Sequence, residues 1–237
     1  MQSSSLARFR PLAVPQIDQT VRPLCRYEIH TQGDAFEIAF VSVVDAVNFA
    51  NEVQLRLHLV KWDKDVLALP GWGRSYTPDG KCMMQGPRIR IGIHLAATGE
   101  WSRKLHTITK GYVFHGLAYS IANTISDAAN GGQTLVTRAV CDALIPKMRA
   151  CGFPIIENIG SFKILNQVLE LFQIQPMQTP DFTARRFPEA PRKVAKISEG
   201  IALWTDQLSP WRRVSLRVVC CRGGAGHREG TAARVQA

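Results

Sequence analysis

The residues with the clearest chemical potential lie in YEIHTQGDAF, Tyr27 to Phe36, where a carboxylate, Asp34, sits in a tight turn four residues after an imidazole, His30. A carboxylate on a turn can hold a hard cation, and Asp after Gly is also good turn chemistry in its own right. The six cysteines, Cys25, Cys82, Cys141, Cys151, Cys220 and Cys221, show neither a CxxC pair nor Cys/His zinc spacing and read as reduced thiols. Cys220-Cys221, beside arginines, has the composition of an acylation site without a helix to present it.

These groups depend on the elements that carry them. CRYEIH and AFEIAF alternate as half-buried strands do, and Gly33-Asp34 supplies the turn between them. Val43, Val47, Ala50, Val53 and Leu57 then recur at helical spacing, which predicts a helix packed on the sheet. Residues 62–86, rich in Gly, Pro and Lys, read as a long surface loop, followed by an alternating strand, RIRIGIH, Arg88 to His94. A second helix is predicted from Ala118 to Ala129, stopped by Asn130-Gly131-Gly132. QTLVT reads as a buried strand, RAVCDALIPKM as a short helix, and SFKIL with VLELFQIQ as a closing pair of strands.

This order predicts an α+β sandwich of the ferredoxin-like kind, a mainly antiparallel sheet with helices on one face. Residues 1–21 read as a disordered leader and 22–187 as the folded domain. Residues 188–237 read as a basic, largely disordered tail whose arginines account for much of the net charge of +10. No run reaches the ~18 consecutive apolar residues of a membrane span, and the first residues lack a signal peptide's apolar stretch. The expectation is an intracellular, cytoplasmic chain, brought to a membrane or flagellum only through a partner.

Five segments, YEIHTQGDAFEIAF, VNFANEVQLRL with KWDKDVLAL, GPRIRIGIH, TKGYVFHG and ANGGQTLVT, occur in the order and spacing of the class III nucleotide cyclase catalytic domain. TKGY, ANGGQ and a later PDFTARRFP look most like the receptor-type adenylate cyclases of trypanosomatids, over residues 22–187. The resemblance implies conversion of ATP or GTP to the 3',5'-cyclic nucleotide and pyrophosphate at the interface of two paired domains. It also implies Mg²⁺ or Mn²⁺ held by two aspartates, in the usual two-metal arrangement for in-line attack at phosphorus.

Carried over position by position, the resemblance makes Asp34 the hairpin metal ligand. It implies a second aspartate at the end of an upstream first strand. Ahead of the hairpin Asp18 is the one acidic residue, and no such strand is legible, so the first strand reads as missing. His30 stands where a purine-reading lysine is implied, and Val113 where a purine-reading aspartate is implied. Ser120 and Thr124 take the positions of the catalytic Asn and Arg, and Asn123, on a different helical direction from Thr124, does not substitute. Leu165 takes the place of a phosphate-binding lysine, which leaves Lys163 as the nearest cation.

These substitutions point to a cyclase-homology domain that keeps the fold without the chemistry and acts as a homo- or heterodimer partner or scaffold. An alternative is an active adenylate cyclase completed by a partner subunit. A third reading, from the basic tail, is a nucleic-acid-binding module, although RIRIGIH offers no aromatic platform for RNA.

Overall fold

Alternation on either side of Gly33-Asp34 does give a hairpin. In a computed structural model, β1 (Glu28–Gln32) and β2 (Ala35–Phe40) pair antiparallel with Gln32 opposite Ala35. The structure describes residues 28–32, 35–105, 112–177, 185, 187, 195–198, 201–204 and 215–221. Gly33, Asp34 and the leader read over 1–21 lie outside the described residues.

After the hairpin, Ser42 caps helix α1 (Val43–Leu59) by accepting a hydrogen bond from the Asp45 N–H, and the apolar stripe of α1 faces the sheet. Strand β5 (Arg90–Ala96) follows, then helix α2 (Leu117–Ala128), β8 (Thr134–Thr137) and the short helix α3 (Arg138–Leu144). The long strands β9 (Ile155–Ile164) and β10 (Gln167–Gln175) close the region read from pattern. Between β5 and α2, β6 (Ser102–Leu105) and β7 (Tyr112–His115) form a separate antiparallel pair.

Residues 62–86 carry more structure than a surface loop. They contain a helical turn, Lys64–Leu67, and a small hairpin of β3 (Ser75–Tyr76) and β4 (Cys82–Met84), with Trp62, Val66 and Met84 buried. The Trp62 indole N–H donates to Leu57 O at 2.9 Å, and Gly86, at φ +69, leaves the space that the indole ring fills. One tryptophan thus folds the segment back onto the end of α1. Composition alone does not reveal such an anchor.

The helices cover both faces of the sheet, not one. Phe36, Ile38 and Phe40 of β2 and Ile91, Ile93 and Leu95 of β5 pack with α1 and α3 in one cluster. On the other face Ile121, Ile125 and Ala128 of α2 pack on Leu135, Phe162, Ile164 and Leu171. Strand β2 is therefore buried along its whole length, where alternation predicts a half-buried strand. The close seat of α2 depends on Gly92: a Cβ there would meet Ala122 O at 2.6 Å and Ser126 Cα at 2.8 Å. Past the Asn130-Gly131-Gly132 stop, the Asn130 N–H donates to Gln133 Oε1 (2.9 Å) and the Gln133 amide to Gln173 Oε1 (2.6 Å). That buried relay ties the end of α2 to β10.

The sheet runs β1-β2-β13-β5-β8-β10-β9-β11-β12, with β11 (Ala195–Ser198), β12 (Ile201–Trp204) and β13 (Ser215–Cys221) all from the stretch read as a disordered tail. β13 enters the middle of the sheet, parallel to β2 on one side and to β5 on the other. β2, β13, β5 and β8 therefore run parallel at the centre, while the remaining pairings are antiparallel. The interior location of β13 explains why its pattern is a poor guide: its partners lie far away in sequence, and no local turn chemistry announces them.

Gly92→Ala forces the α2 backbone off the sheet and is expected to destabilise the chain by about 1–3 kcal/mol, the usual cost of overpacking. Urea unfolding of the variant beside the parent sequence measures it.

Candidate functional site

Asp34 lies outside the described residues, between β1, which ends at Gln32, and β2, which starts at Ala35, and the strand starts nearby are described. β2 begins at Ala35, Ser215 of β13 is opposite Ala35, and Arg90 of β5 is opposite Ser215. Among the described strands, those that flank β2 at this end are β1 and β13. The inner neighbour, β13, reads SLRVVCC and contains no Asp or Glu. In β1 the one acid, Glu28, lies at the far end of the strand, opposite Ile38.

A cation, not an acid, opens β5 at the same end. Arg90 Nη1 donates to Asp127 O at 3.1 Å and Nη2 lies 3.5 Å from Asp127 Oδ1, so the nearest acid on α2 already faces a guanidinium. Among the described residues there is no grouping of three His, Cys, Asp or Glu side chains able to hold a metal. Asp34, the hairpin ligand that the resemblance implies, lies outside the described residues.

The structure brings together the strands that carry the two purine-reading positions, since β7, with Val113, lies beside β1, with His30. At the register position opposite His30 stands Glu37, only 3% exposed, and the Tyr119 hydroxyl of α2 donates to its Oε1. Sequence reasoning passed over this carboxylate. Its signal was an acid between Ala35 and Ala39 on a strand face that a helix must cover.

On α2, Ser120, Asn123, Thr124 and Asp127 are half-buried at i, i+3, i+4 and i+7, while Ile121, Ala122 and Ile125 are buried against the sheet. The Thr124 hydroxyl donates to Ser120 O at 2.9 Å, a bond within its own helix, so it presents neither charge nor a long donor to the surroundings. Asn123 Oδ1 is buried without a hydrogen-bond partner. Leu165 occupies the β9–β10 turn at φ +54, and Lys163 alternates to the sheet face opposite Phe162 and Ile164, hence away from α2. Lys163 does not join the α2 positions.

A second polar cluster lies at the other end of β5. His94 is buried, with Nδ1 3.1 Å from Thr137 Oγ1 and Nε2 3.4 Å from Glu100 Oε2, while Glu100 Oε2 also accepts the Ala97 N–H at 2.8 Å. Burial pushes the His94 pKa down, against the smaller upward pull of Glu100. An imidazole held below its unfolded value of 6.5 stays neutral in the folded chain, while the unfolded chain takes up the proton. Its contribution is complete above the unfolded value and is lost as pH falls from there toward the folded one.

No family model matches the chain. In sequence it is 27% identical over 202 residues to a receptor-type adenylate cyclase of Trypanosoma brucei brucei, covering 77% of this chain and 35% of that protein. A second receptor-type adenylate cyclase of the same organism is 33% identical over 135 residues, covering 48% of this chain and 10% of that protein. Receptor-type adenylate cyclase A of Leishmania donovani is 31% identical over 151 residues, covering 56% and 11%. The chain thus spans from a tenth to about a third of the length of these relatives. Two solved structures of Trypanosoma brucei adenylate cyclases in their monomeric state share the fold. One has TM-score 0.58 at 21% identity, covering 83% of this chain and 92% of that one, and the other 0.56 at 23%, covering 78% and 88%.

Stability is expected to decline as pH drops below about 6.5, and His94→Gln, which keeps a donor and an acceptor without a titrating ring, to flatten that decline. Urea midpoints of both chains across this range test the assignment; parallel slopes would remove His94 from the account.

Proposed function

From relatives that are receptor-type adenylate cyclases and a fold that is that of the adenylate cyclase catalytic domain, we propose that this chain keeps the domain and has lost its turnover, acting as a dimer partner or scaffold for another cyclase domain. The observation that carries the reading is the identity of β13. The inner neighbour of the hairpin carries no carboxylate, so Asp34 has no partner there with which to share Mg²⁺ or Mn²⁺.

The substitutions on the resemblance's other positions act in the same direction. Val113 makes no hydrogen bond to a purine edge, and His30 lacks a lysine's fixed charge and reach. Ser120 is shorter than the implied Asn, and Thr124 replaces a cation with a hydroxyl already bonded to its own helix. Loss of one preorganised donor to a transition state typically costs a factor of roughly 10²–10³ in rate. Here a donor, a cation and a metal ligand change together. Such losses need not multiply, yet each acts against a free-standing active homodimer.

What the chain retains suits a partner. Buried clusters on both faces of the sheet hold α1 and α2 in place, and β7 lies beside β1. Dimerisation with a cyclase domain, binding of nucleotide by the altered pocket and a place in cyclic nucleotide signalling all belong to this proposal.

The purified chain, assayed with Mn²⁺ and ATP or GTP, is expected to form cyclic nucleotide no faster than its Asp34→Ala variant. Turnover well above that control would overturn the loss of chemistry.

A further inference from the structure

Outside the positions taken from the resemblance, the described residues gather basic groups in a cleft between the end of α1, β4 and the turn after α2. Gln54, His58, Arg88, Gly132 and Arg185 help to line it, and no Asp or Glu is among its described lining residues. Arg185 is buried to within 5% of full enclosure, with Nε donating to Met83 O at 3.0 Å and Nη1 to Gly132 O at 3.5 Å. Arg88 Nη2 donates to Gly73 O at 2.8 Å and Nη1 approaches Met84 Sδ at 3.3 Å, a weak acceptor. Arg88 Nε is buried without a hydrogen-bond partner.

Two guanidiniums sharing one cleft repel each other and each gives up hydration. Burial and then the Arg88 charge push Arg185 down to about 9, and burial lowers Arg88 as well, while the Cys82 thiol acts in the opposite direction on both. An anion bound between the two forks offsets both penalties and offers an acceptor to the unsatisfied Nε. Planar guanidiniums match the spacing of oxyanion oxygens far better than that of a spherical ion.

We propose that the cleft between Arg88 and Arg185 is a site for a phosphate-class oxyanion. It lies outside the positions that the resemblance assigns to nucleotide, and it stands or falls without reference to turnover. The cleft floor is small, with room for about one water-sized group, which suits a single anion oxygen entering between the arginines while the rest stays at the mouth.

Inorganic phosphate is the probe. With ionic strength matched by sodium chloride, the full chain is expected to gain about 2–4 °C in Tm at phosphate several-fold above its Kd, with saturation. Arg88→Gln abolishes the gain, and Arg138→Gln, which changes an exposed arginine paired with Glu170, preserves it. Because Arg88 also holds Gly73 O and its variant can lose stability, calorimetric titration of phosphate into the unmodified chain supplies a second reading, a saturable heat. ATP free of metal that competes for this heat identifies a nucleotide's phosphates as the source, and failure to compete identifies the free ion; both support the site. No saturable heat, or an equal Tm gain in Arg88→Gln, would overturn it.

Discussion

Backbone pairing on both sides of one interior strand is the interaction on which the rest of this molecule depends. β13 lies between β2 and β5, and both neighbours are buried: Ile38 and Ile93 are fully enclosed, as is Val218 of β13 itself. With that slot vacant, the facing N–H and C=O groups of β2 and β5 would be buried without partners, and each such group costs roughly 1–3 kcal/mol. The helices on both faces rest on the continuous sheet that β13 completes. A segment from the far end of the chain therefore holds the centre of the fold.

The same placement sets which residues stand beside the start of β2. Among the described strands β13 is the interior neighbour of β2, and the residues that occupy it are limited by what a buried parallel strand tolerates. SLRVVCC supplies Leu216, Val218, Val219 and two cysteines that suit such a slot, together with Arg217 opposite Glu37, and no acid. Arg90 at the start of β5 then meets Asp127, not an ion-binding acid pair. Among the described residues, one strand thus both completes the sheet and stands beside the start of β2.

Much of this was legible in the sequence because the signals are local. The stripe of Val43, Val47, Ala50, Val53 and Leu57, the Gly33-Asp34 turn and the Asn130-Gly131-Gly132 stop each act within a few residues and locate α1, the β1–β2 hairpin and the end of α2. What escaped was non-local. Burial of β2 on both faces depends on a second helix layer, the fold of residues 62–86 depends on Trp62 reaching back to Leu57, and β13 has partners more than a hundred residues away. Likewise, Glu37 and His94 are identified as buried polar groups only through Tyr119, Thr137 and Glu100, which the fold delivers from other elements. The family resemblance, by contrast, was legible from ordered motifs, and the relatives and the fold agree with it.

Native-state hydrogen exchange of the full chain addresses the placement of β13 most directly. If it is an interior strand, the amides of Arg217 to Cys220 exchange as slowly as those of Ile91 to Leu95 and open with them in one cooperative unit. Fast exchange over 215–221, with β2 and β5 still protected, would contradict the account and reopen the position beside Asp34 to another segment.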